Sequence, residues 1–337
     1  MQRLAAILCG LARHLPERRV PNQELIDSLG VSGEWIVQRT GIRERYFAAP
    51  GEATSDLAVA AGAKVLAAAD DGAGGGADAV ILATTTPDQT CPATAPLIAE
   101  RLGLSTPLAM DVSAACAGFV YGLGTAAGLI SAGIAKRVLL IGAETYSTIL
   151  APGDRVNGAI FGDGAGAVLL RAGAPDEPGA IGPFDFGSDG SGHELIMVPA
   201  GGSRQRSRGV PPEPGEEYFT MNGQPVYRQA IQRMAESCQR VLDLAEIPVA
   251  KIDRLVPHQA NLRILHAVAA RLGIAEDRCV ANIAQVGNTA AASIPIALAD
   301  ATSSGQMQPG QHVLLTAFGG GLAWGSCYLT WPDVHIA

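Results

Sequence analysis

The stretch PLAMDVSAACAGF, residues 107–119, runs from an apolar strand pattern through a cysteine into a helix pattern. PLAMDV predicts a buried strand, and a helix face follows it, with apolar side chains spaced by three or four positions: Phe119, Leu123, Ala126 and Ile130. The apolar run RVLLIGAE (137–144) predicts the next strand. This alternation of strand and helix indicates an α/β sheet that is covered by helices on both faces.

The same alternation extends before this stretch and returns in the second half of the chain. VILA (80–83) predicts a strand after the linker DDGAGGGA (70–77), and ATAPLIAERLG (93–103) predicts a helix that ends at Gly103. The second half repeats this order, with strands predicted at 252–259 and 312–321 and helices at 261–273 and 289–301.

Short strings also recur at a nearly constant spacing. RLG at 101–103 returns at 271–273, an offset of 170 (271 − 101), and VLL at 138–140 returns at 313–315, an offset of 175 (313 − 138). The spacing predicts a duplicated α/β unit, and chance matching of short apolar strings is the alternative.

A duplication would divide the chain into halves at 1–173 and 174–337. Cys116 then falls opposite Asn288, at an offset of 172 (288 − 116). We therefore predict that the two residues lie at matching strand-to-helix junctions and meet across a pseudo-twofold axis.

Composition restricts the class of protein. The chain has 337 residues, of which 48% are hydrophobic and 17% are charged, so we expect a large buried core. Its net charge of −8 argues against a nucleic-acid-binding protein, although a local basic patch for an acidic partner remains compatible with it.

The start of the chain and its cysteines bear on location. MQRLAAILCGLARHLP (1–16) predicts an opening strand that Pro16 ends, with a signal peptide as the alternative, and no apolar run reaches the length of a membrane span. The six cysteines are scattered, without a CxxC pair. This pattern favours a cytoplasmic protein with neither disulfides nor zinc.

Cys116 lies among small residues where a strand gives way to a helix. Unpaired N–H groups and the partial positive charge of a helix N-terminus stabilise a thiolate, so a nucleophile is one interpretation. A small core residue is the other.

His258 and Asn288 are candidate partners of this cysteine. His258 follows a predicted strand in LVPHQAN, at the sheet edge where ligands of α/β proteins bind, although a histidine that only stabilises a loop is the simpler interpretation. Asn288 precedes a helix of small residues, where it is either an N-cap or a catalytic amide.

Two glycine-rich strings have different predicted roles. FGGGLAWG (318–325) is either a turn at a strand end or a backbone donor for an oxyanion. FGDGAGAV (161–168) precedes a strand, so it is not a dinucleotide-binding loop. The Gly-, Pro- and charge-rich insertion at 201–217 predicts a mobile surface loop, with a functional loop as the alternative.

Six segments together resemble β-ketoacyl-ACP synthase III, the condensing enzyme that initiates type II fatty acid synthesis. They are EWIVQRTGIRERY (34–46), DVSAACAGF (111–119), DRVNGAIFGDGAGAV (154–168), VPHQANLRI (256–264), GNTAAASIP (287–295) and AFGGGLAWG (317–325). The resemblance implies a thiolase-like fold, a five-layered αβαβα arrangement of two duplicated halves, in a homodimer.

The resemblance also implies a mechanism. Cys116 takes an acyl group from acyl-CoA, and His258 and Asn288 donate hydrogen bonds to malonyl-ACP as it loses CO2. The backbone N–H groups of Cys116 and Gly320 form the oxyanion hole. The product is a β-ketoacyl-ACP, and neither a metal nor a redox cofactor is implied.

Further positions match family contacts. Trp35, Arg39, Arg155, Gly223 and Asn261 match the CoA site, although Trp35 is also explained as a core residue and Arg39 as a solvated charge. Arg263, with Arg228 and Arg271 in support, would face the acidic carrier protein, and ordinary surface arginines are the alternative. The acyl pocket is matched by a further set: Thr90, Cys91, Tyr146, Phe161, Ile196 and Phe318.

Cys91 and Tyr146 leave the primer open. A small residue at position 91 favours a longer acyl chain and a large residue at position 146 favours a shorter one, so acetyl, branched and longer primers all remain, for fatty acid or specialised polyketide synthesis. Two other functions also remain: an acyltransferase that does not condense, and a non-catalytic module that binds acyl-CoA or the carrier protein.

Overall fold

The computed structural model describes residues 4–68 and 76–336, so most of the predicted linker at 70–77 lies outside the described residues. The strands are β1 (Ala5–His14), β2 (Arg18–Pro21), β3 (Glu44–Phe47), β4 (Ala79–Ala83), β5 (Leu108–Val112), β6 (Arg137–Glu144), β7 (Gly164–Gly173), β8 (Phe184–Ser188), β9 (Ile196–Met197), β10 (Thr220–Met221), β11 (Arg254–Pro257), β12 (His312–Gly319), β13 (Ala323–Thr330) and β14 (His335–Ile336). The helices are α1 (Asn22–Leu29), α2 (Gly33–Thr40), α3 (Thr54–Ala68), α4 (Ala95–Arg101), α5 (Gly118–Ser131), α6 (Ser203–Arg206), α7 (Gly223–Ala245), α8 (Leu262–Leu272), α9 (Ile283–Val286) and α10 (Ser293–Ser303).

Two sheets with the same strand order confirm the duplication. The first sheet runs β14-β1-β7-β6-β4-β5, and the second runs β11-β12-β13-β8. Strands β4 and β6 are parallel, as are β11 and β12, whereas β6–β7 and β12–β13 are both antiparallel. The order β1-β7-β6-β4 in one half therefore corresponds to β8-β13-β12-β11 in the other, and the division at residue 173 stays a prediction.

The offset between equivalent positions is 175 (312 − 137), which corrects the predicted pairing of Cys116 with Asn288. Strand β6 starts at 137 and β12 at 312, and helix α5 starts at 118 and α10 at 293. The two 3-10 turns before these helices, Ala115–Ala117 and Ala290–Ala292, both begin with a residue of positive φ. Cys116 thus corresponds to Ala291, and Asn288 lies three positions earlier at the same junction.

Three hydrophobic cores separate five layers. Helices α3 and α4 cover the outer face of the first sheet, α5 and α10 lie between the sheets, and α7 and α8 cover the second sheet. The repeated VLL string lies in β6 and β12, and its alternate side chains show that both strands are buried on two faces. Leu139 and Leu314 face the outer cores, whereas Leu140 and Leu315 face the central one.

The predicted opening strand is confirmed, since residues 5–14 form β1. Among the described residues, no helix has the length and apolar character needed to cross a membrane. The glycine run at 161–168 leads into β7, where a Cβ on Gly166 would lie 2.7 Å from Pro295. That glycine allows the close packing of α10 on the sheet. Most residues of the insertion at 201–217 are exposed, and Arg208 pairs with Glu216 within it.

Candidate active site

Cys116 lies in the 3-10 turn that joins β5 to α5. Ala115, just before it, has a φ of 45°, an unfavourable conformation for a residue with a side chain. The turn directs the chain from the sheet edge into α5 within a few residues. Cys116 is therefore held at the N-terminus of a 14-residue helix, as the sequence predicts.

His258 is the first residue after β11, at the carboxyl end of that strand. Its backbone N–H donates to the carbonyl of Thr316 at 2.8 Å, and its Nδ1 lies 2.6 Å from Oγ of Ser293. Gln259 is fully buried and donates from Nε2 to the carbonyls of Pro257 and Val280. These contacts fix the loop, so the imidazole has one defined orientation.

Asn288 is held by both its backbone and its side chain. Its N–H donates to the carbonyl of Ile160 at 2.9 Å, and its own carbonyl accepts from the N–H of Gly162 at 3.0 Å. The side-chain Oδ1 accepts from the N–H of Ala290 at 2.9 Å. Because Oδ1 is used in this way, the Nδ2 group is the end of the carboxamide that is available to donate.

The three residues meet in one narrow cavity of about 160 Å³. Cys116, His258 and Asn288 all line it, together with Phe318 and Gly319 at the end of β12. A thiol from the first half thus faces an imidazole and a carboxamide from the second half. This arrangement allows one carbonyl group to contact the nucleophile and two hydrogen-bond donors.

The electrostatics differ from the sequence prediction for the thiol. Burial and the nearby Glu144 carboxylate raise the pKa of Cys116 to about 12, so the resting site holds a thiol rather than a helix-stabilised thiolate. Desolvation by burial is the largest cause of this shift, and the nearby Glu144 is the second. Burial also lowers the pKa of His258 to about 3, so the imidazole is neutral at physiological pH.

Glu144 is a buried group that the sequence analysis missed. Its carboxylate accepts hydrogen bonds from the backbone N–H groups of Thr85 at 3.0 Å, Thr86 at 3.2 Å and Ala291 at 3.4 Å, and from the hydroxyl of Thr86 at 2.9 Å. Burial raises the pKa of Glu144 to about 7. The carboxylate links the two halves beside Cys116. Its sequence signal is an acidic residue directly after the apolar run VLLIGA of β6.

The glycine string after Phe318 packs against Cys116. A Cβ on Gly319 would lie 2.7 Å from the backbone nitrogen of Cys116, so only glycine fits there. Gly320 lies instead beside Ile196 and does not line the cavity. Gly319, and not the predicted backbone donor Gly320, is therefore the glycine in contact with Cys116. The role of Gly320 stays a prediction.

Aromatic side chains close one side of the cavity. Tyr146 and Phe161 stack with their ring centroids 4.2 Å apart, and Phe219 meets both rings edge-on. Of the residues predicted for the acyl pocket, Tyr146, Phe161, Ile196 and Phe318 line the cavity. Phe219 was missed, because only the fold brings the residue after the insertion to this wall.

Thr90 and Cys91 do not line the cavity. Both are exposed on the loop between β4 and α4. Asp111 of β5 accepts from the N–H groups of Thr94 and Ala95 at 2.8 Å and so ties this loop to the edge strand of the first sheet.

The predicted CoA residues lie near the rim. The guanidinium of Arg39 stacks on the ring of Trp35 at 4.4 Å, and Nδ2 of Asn261 donates to the carbonyl of Arg39 at 3.0 Å. Asn261 and Gly223 both line the cavity. Arg155 lies on the loop that leads to Ala159, which packs against α1 and α2. Arg39 therefore stacks on Trp35, and the contacts of these five residues with CoA stay a prediction.

The three candidate arginines for the carrier protein are exposed on α7 and α8. Arg263, at the start of α8, lies over the ring of Tyr227 on α7 at 6.0 Å, and Arg228 follows that tyrosine. Arg271 lies in the last turn of α8, about 12 Å further along at the helical rise of 1.5 Å per residue. The structure thus places Arg263 and Arg228 near the cavity mouth and Arg271 away from it.

The comparisons with known proteins agree with this geometry. Family models described as 3-oxoacyl-[acyl-carrier-protein (ACP)] synthase III and its C terminal match residues 110–190 and 242–331. The chain is 55% identical to β-ketoacyl-[acyl-carrier-protein] synthase III 3 of Streptomyces coelicolor, over 98% of both chains.

Solved structures give the same result. The crystal structure of 3-oxoacyl-(acyl carrier protein) synthase III from Pseudomonas aeruginosa PAO1 matches with a TM-score of 0.91 at 48% identity, covering 98% of this chain and 99% of that one. A priming β-ketosynthase from a polyketide biosynthetic pathway matches with a TM-score of 0.89 at 33% identity, over 98% of both chains. The chain belongs to the β-ketoacyl-ACP synthase III family of acyltransferases and has its thiolase-like fold.

Proposed function

We propose that this protein condenses an acyl-CoA primer with malonyl-ACP by way of an acyl group on Cys116. One observation carries the proposal: Cys116, His258 and Asn288 line a single cavity. The carboxamide matters most for the choice of reaction, since two neutral donors suit an enolate and simple acyl transfer needs no such pair.

The first half-reaction is acylation. The sulfur of Cys116 attacks the thioester carbonyl of acyl-CoA, CoA leaves as a thiol that takes up the proton, and an acyl thioester remains on the enzyme. Because burial holds the pKa of Cys116 at about 12, the thiol loses its proton only as the substrate reacts. The N–H group of Cys116 would hold the developing oxyanion, and the family resemblance adds that of Gly320, the residue after Gly319.

The second half-reaction is decarboxylative condensation. Nε2 of His258 and Nδ2 of Asn288 donate to the thioester oxygen of malonyl-ACP, loss of CO2 leaves an enolate, and its carbon attacks the acyl group on Cys116. The sulfur leaves and recovers a proton, which gives a β-ketoacyl-ACP. A neutral His258 suits this role, because it offers a donor without releasing a proton to the enolate.

We propose a short primer. The cavity of about 160 Å³ ends against Tyr146, Phe161 and Phe219, and buried aromatic rings in mutual contact do not yield easily to a longer chain. CoA would enter past Trp35, Arg39, Arg155, Gly223 and Asn261, and the carrier protein would dock on Arg263 and Arg228.

A homodimer is the expected assembly. In the described part of the chain, β5 pairs only with β4 and ends the first sheet, so its outer edge can pair with the same strand of a second copy. Leu108 on this strand is 37% exposed. Because Asp111 ties the loop of Thr90 and Cys91 to β5, such pairing would bring that loop to the partner subunit.

Intact-mass spectrometry tests the function directly. We expect acetyl-CoA or propionyl-CoA to leave one acyl group on the wild-type protein and none on Cys116→Ala, while Cys91→Ala still acylates. Radiolabelled malonyl-ACP should then release CO2 only from the acylated enzyme, with transfer of the primer to the product.

Other results would point to the two alternatives. An acyl adduct that moves to another acceptor without CO2 release would indicate a non-condensing acyltransferase. The absence of any adduct with every acyl-CoA offered would indicate a binding module.

A further inference from the structure

Ser293, the first residue of α10, contacts the imidazole of His258. Its Oγ is 2.6 Å from Nδ1 of His258 and 3.3 Å from the backbone nitrogen of Gln259. Ser293 is 1% exposed and His258 is 2% exposed, so water does not compete for these bonds.

The two hydrogen bonds favour one placement of the protons, because an Oγ that accepted both bonds would leave its own buried hydrogen without an acceptor. The N–H of Gln259 can only donate, so Oγ of Ser293 accepts that bond. The hydroxyl has one hydrogen, and in the described part of the chain its only hydrogen-bonded acceptor is Nδ1 of His258. A neutral imidazole carries one ring hydrogen, so a bond received at Nδ1 leaves that hydrogen on Nε2.

We propose that Ser293 is a positioning residue that fixes His258 as the Nε2–H tautomer and so makes the ring nitrogen facing the cavity a hydrogen-bond donor. The tautomer follows from the hydrogen bonds alone, whereas its effect on catalysis rests on the proposed function. The other tautomer would present a lone pair to the thioester oxygen and repel the charge that develops there.

The equivalent pair in the first half shows what the serine adds. At the offset of 175 between the halves, Ser293 corresponds to Gly118 (293 − 118) and His258 to Ala83 (258 − 83). A Cβ on Gly118 would lie 3.3 Å from Cβ of Ala83, so the same two positions are in contact in both halves. Only the second half places polar groups at this contact, and there they form a hydrogen bond.

The tautomer can be read by NMR on the whole protein. Long-range ¹H–¹⁵N correlation of ¹⁵N-histidine-labelled enzyme, with the His258 signals identified by their loss in His258→Ala, should show a protonated Nε2 and an unprotonated Nδ1. A protonated Nδ1 in the wild type would overturn the proposal, whether or not the protein condenses anything.

Variants connect the tautomer to the reaction. In Ser293→Ala we expect protonated Nδ1 to appear and the kcat of CO2 release from malonyl-ACP to fall at least about tenfold, while acylation of Cys116 stays within about twofold. Ser293→Thr, which keeps the hydroxyl, should restore both readouts. Unchanged tautomer and CO2 release in Ser293→Ala would refute the role.

A matched control separates this effect from a general loss of packing. Ser237 on α7 is also fully buried, and its hydroxyl bonds the carbonyl of Asp185, away from the cavity. Ser237→Ala should leave the tautomer and the CO2 release as in the wild type. If Ser293→Ala does not fold, the wild-type spectrum and the Ser293→Thr variant still decide the proposal. A wild type without CO2 release would count against the proposed function alone.

Discussion

The two turns that lead into the central helices have similar backbones and different side chains, although β5 precedes the first turn and the short helix α9 precedes the second. Each is a 3-10 turn that starts at an alanine of positive φ, Ala115 in one half and Ala290 in the other, and each leads into a helix between the sheets. The first turn carries Cys116, where the second has Ala291. Asn288 comes just before the second turn, and His258, after β11, stands where the first half has Ala83 at the end of β4.

The comparison shows how a duplicated fold makes an asymmetric site. Two copies of the same turn bring two helix starts together, and substitution at a few equivalent positions gives each a different role. Glu144 spans the divide, since its carboxylate holds Thr85 in one half and Ala291 in the other. The separate roles of the junctions can be tested one at a time.

Removing His258, a proposed donor from the second half, should have the largest effect. We expect His258→Ala to reduce CO2 release from malonyl-ACP by about 10²- to 10³-fold, the usual cost of losing one oxyanion donor, because Asn288 alone remains. Acylation of Cys116 should continue, and mass spectrometry of the acyl adduct provides the check. Undiminished decarboxylation would remove His258 from its proposed role.

The reactivity of Cys116 should depend strongly on pH, whereas the contribution of His258 should not. A thiol with a pKa near 12 gains thiolate about tenfold per pH unit below that value, so alkylation of Cys116 by iodoacetamide should rise about a hundredfold from pH 7 to 9. Peptide mapping distinguishes Cys116 from exposed Cys91.

The imidazole, with its pKa lowered to about 3, is already neutral above pH 5 and should add no inflection near 6.5 to the decarboxylation rate. A plateau of Cys116 alkylation below pH 8 would show that a partner lowers the pKa of the thiol.

The aromatic wall beside the first junction should control primer length. In Tyr146→Leu we expect the ratio of hexanoyl-CoA to acetyl-CoA acylation to rise about tenfold, because the ring that ends the cavity is lost. Tyr121→Leu is the matched control, since Tyr121 bonds the carbonyl of Gly187 and does not line the cavity. Equal ratios in the two variants would place the acyl chain elsewhere.

The smallest effect should come from Arg263, the exposed arginine at the start of α8. Arg263→Glu should raise the KM for malonyl-ACP about fivefold at low salt, and less at high salt, without changing acylation by acyl-CoA. Arg271→Glu, in the last turn of α8, is the control and should have little effect. If both variants behave alike, the carrier protein docks on a different surface.

Sequence patterns were most informative where a segment is apolar on both faces or repeats. The strands around the VLL strings and the α5 face of Phe119 and Leu123 were predictable, because burial on two sides leaves long apolar runs. The predicted equivalence of Cys116 with Asn288 was wrong by three positions. The two halves differ in loop length, and matching short sequence strings does not show in which loop the lengths differ.

Some residues of the site were predictable from the sequence and others were not. Cys116, His258 and Asn288 were identifiable from their motifs, whereas Glu144, Phe219 and Ser293 were not. Their importance comes from neighbours that are distant in the chain, such as Ala291 for Glu144 and His258 for Ser293. A single buried serine or glutamate has no periodic pattern that would distinguish it from a structural residue.

By itself, the sequence determined the α/β class, the duplication and the identity of three residues that the fold brings to one cavity, because alternating apolar segments and local motifs depend on near neighbours. The tertiary structure alone decided the ionisation of Cys116 and the hydrogen-bond partner of His258. Burial and contacts between the halves set both properties, and these arise only when residues far apart in the chain are packed together.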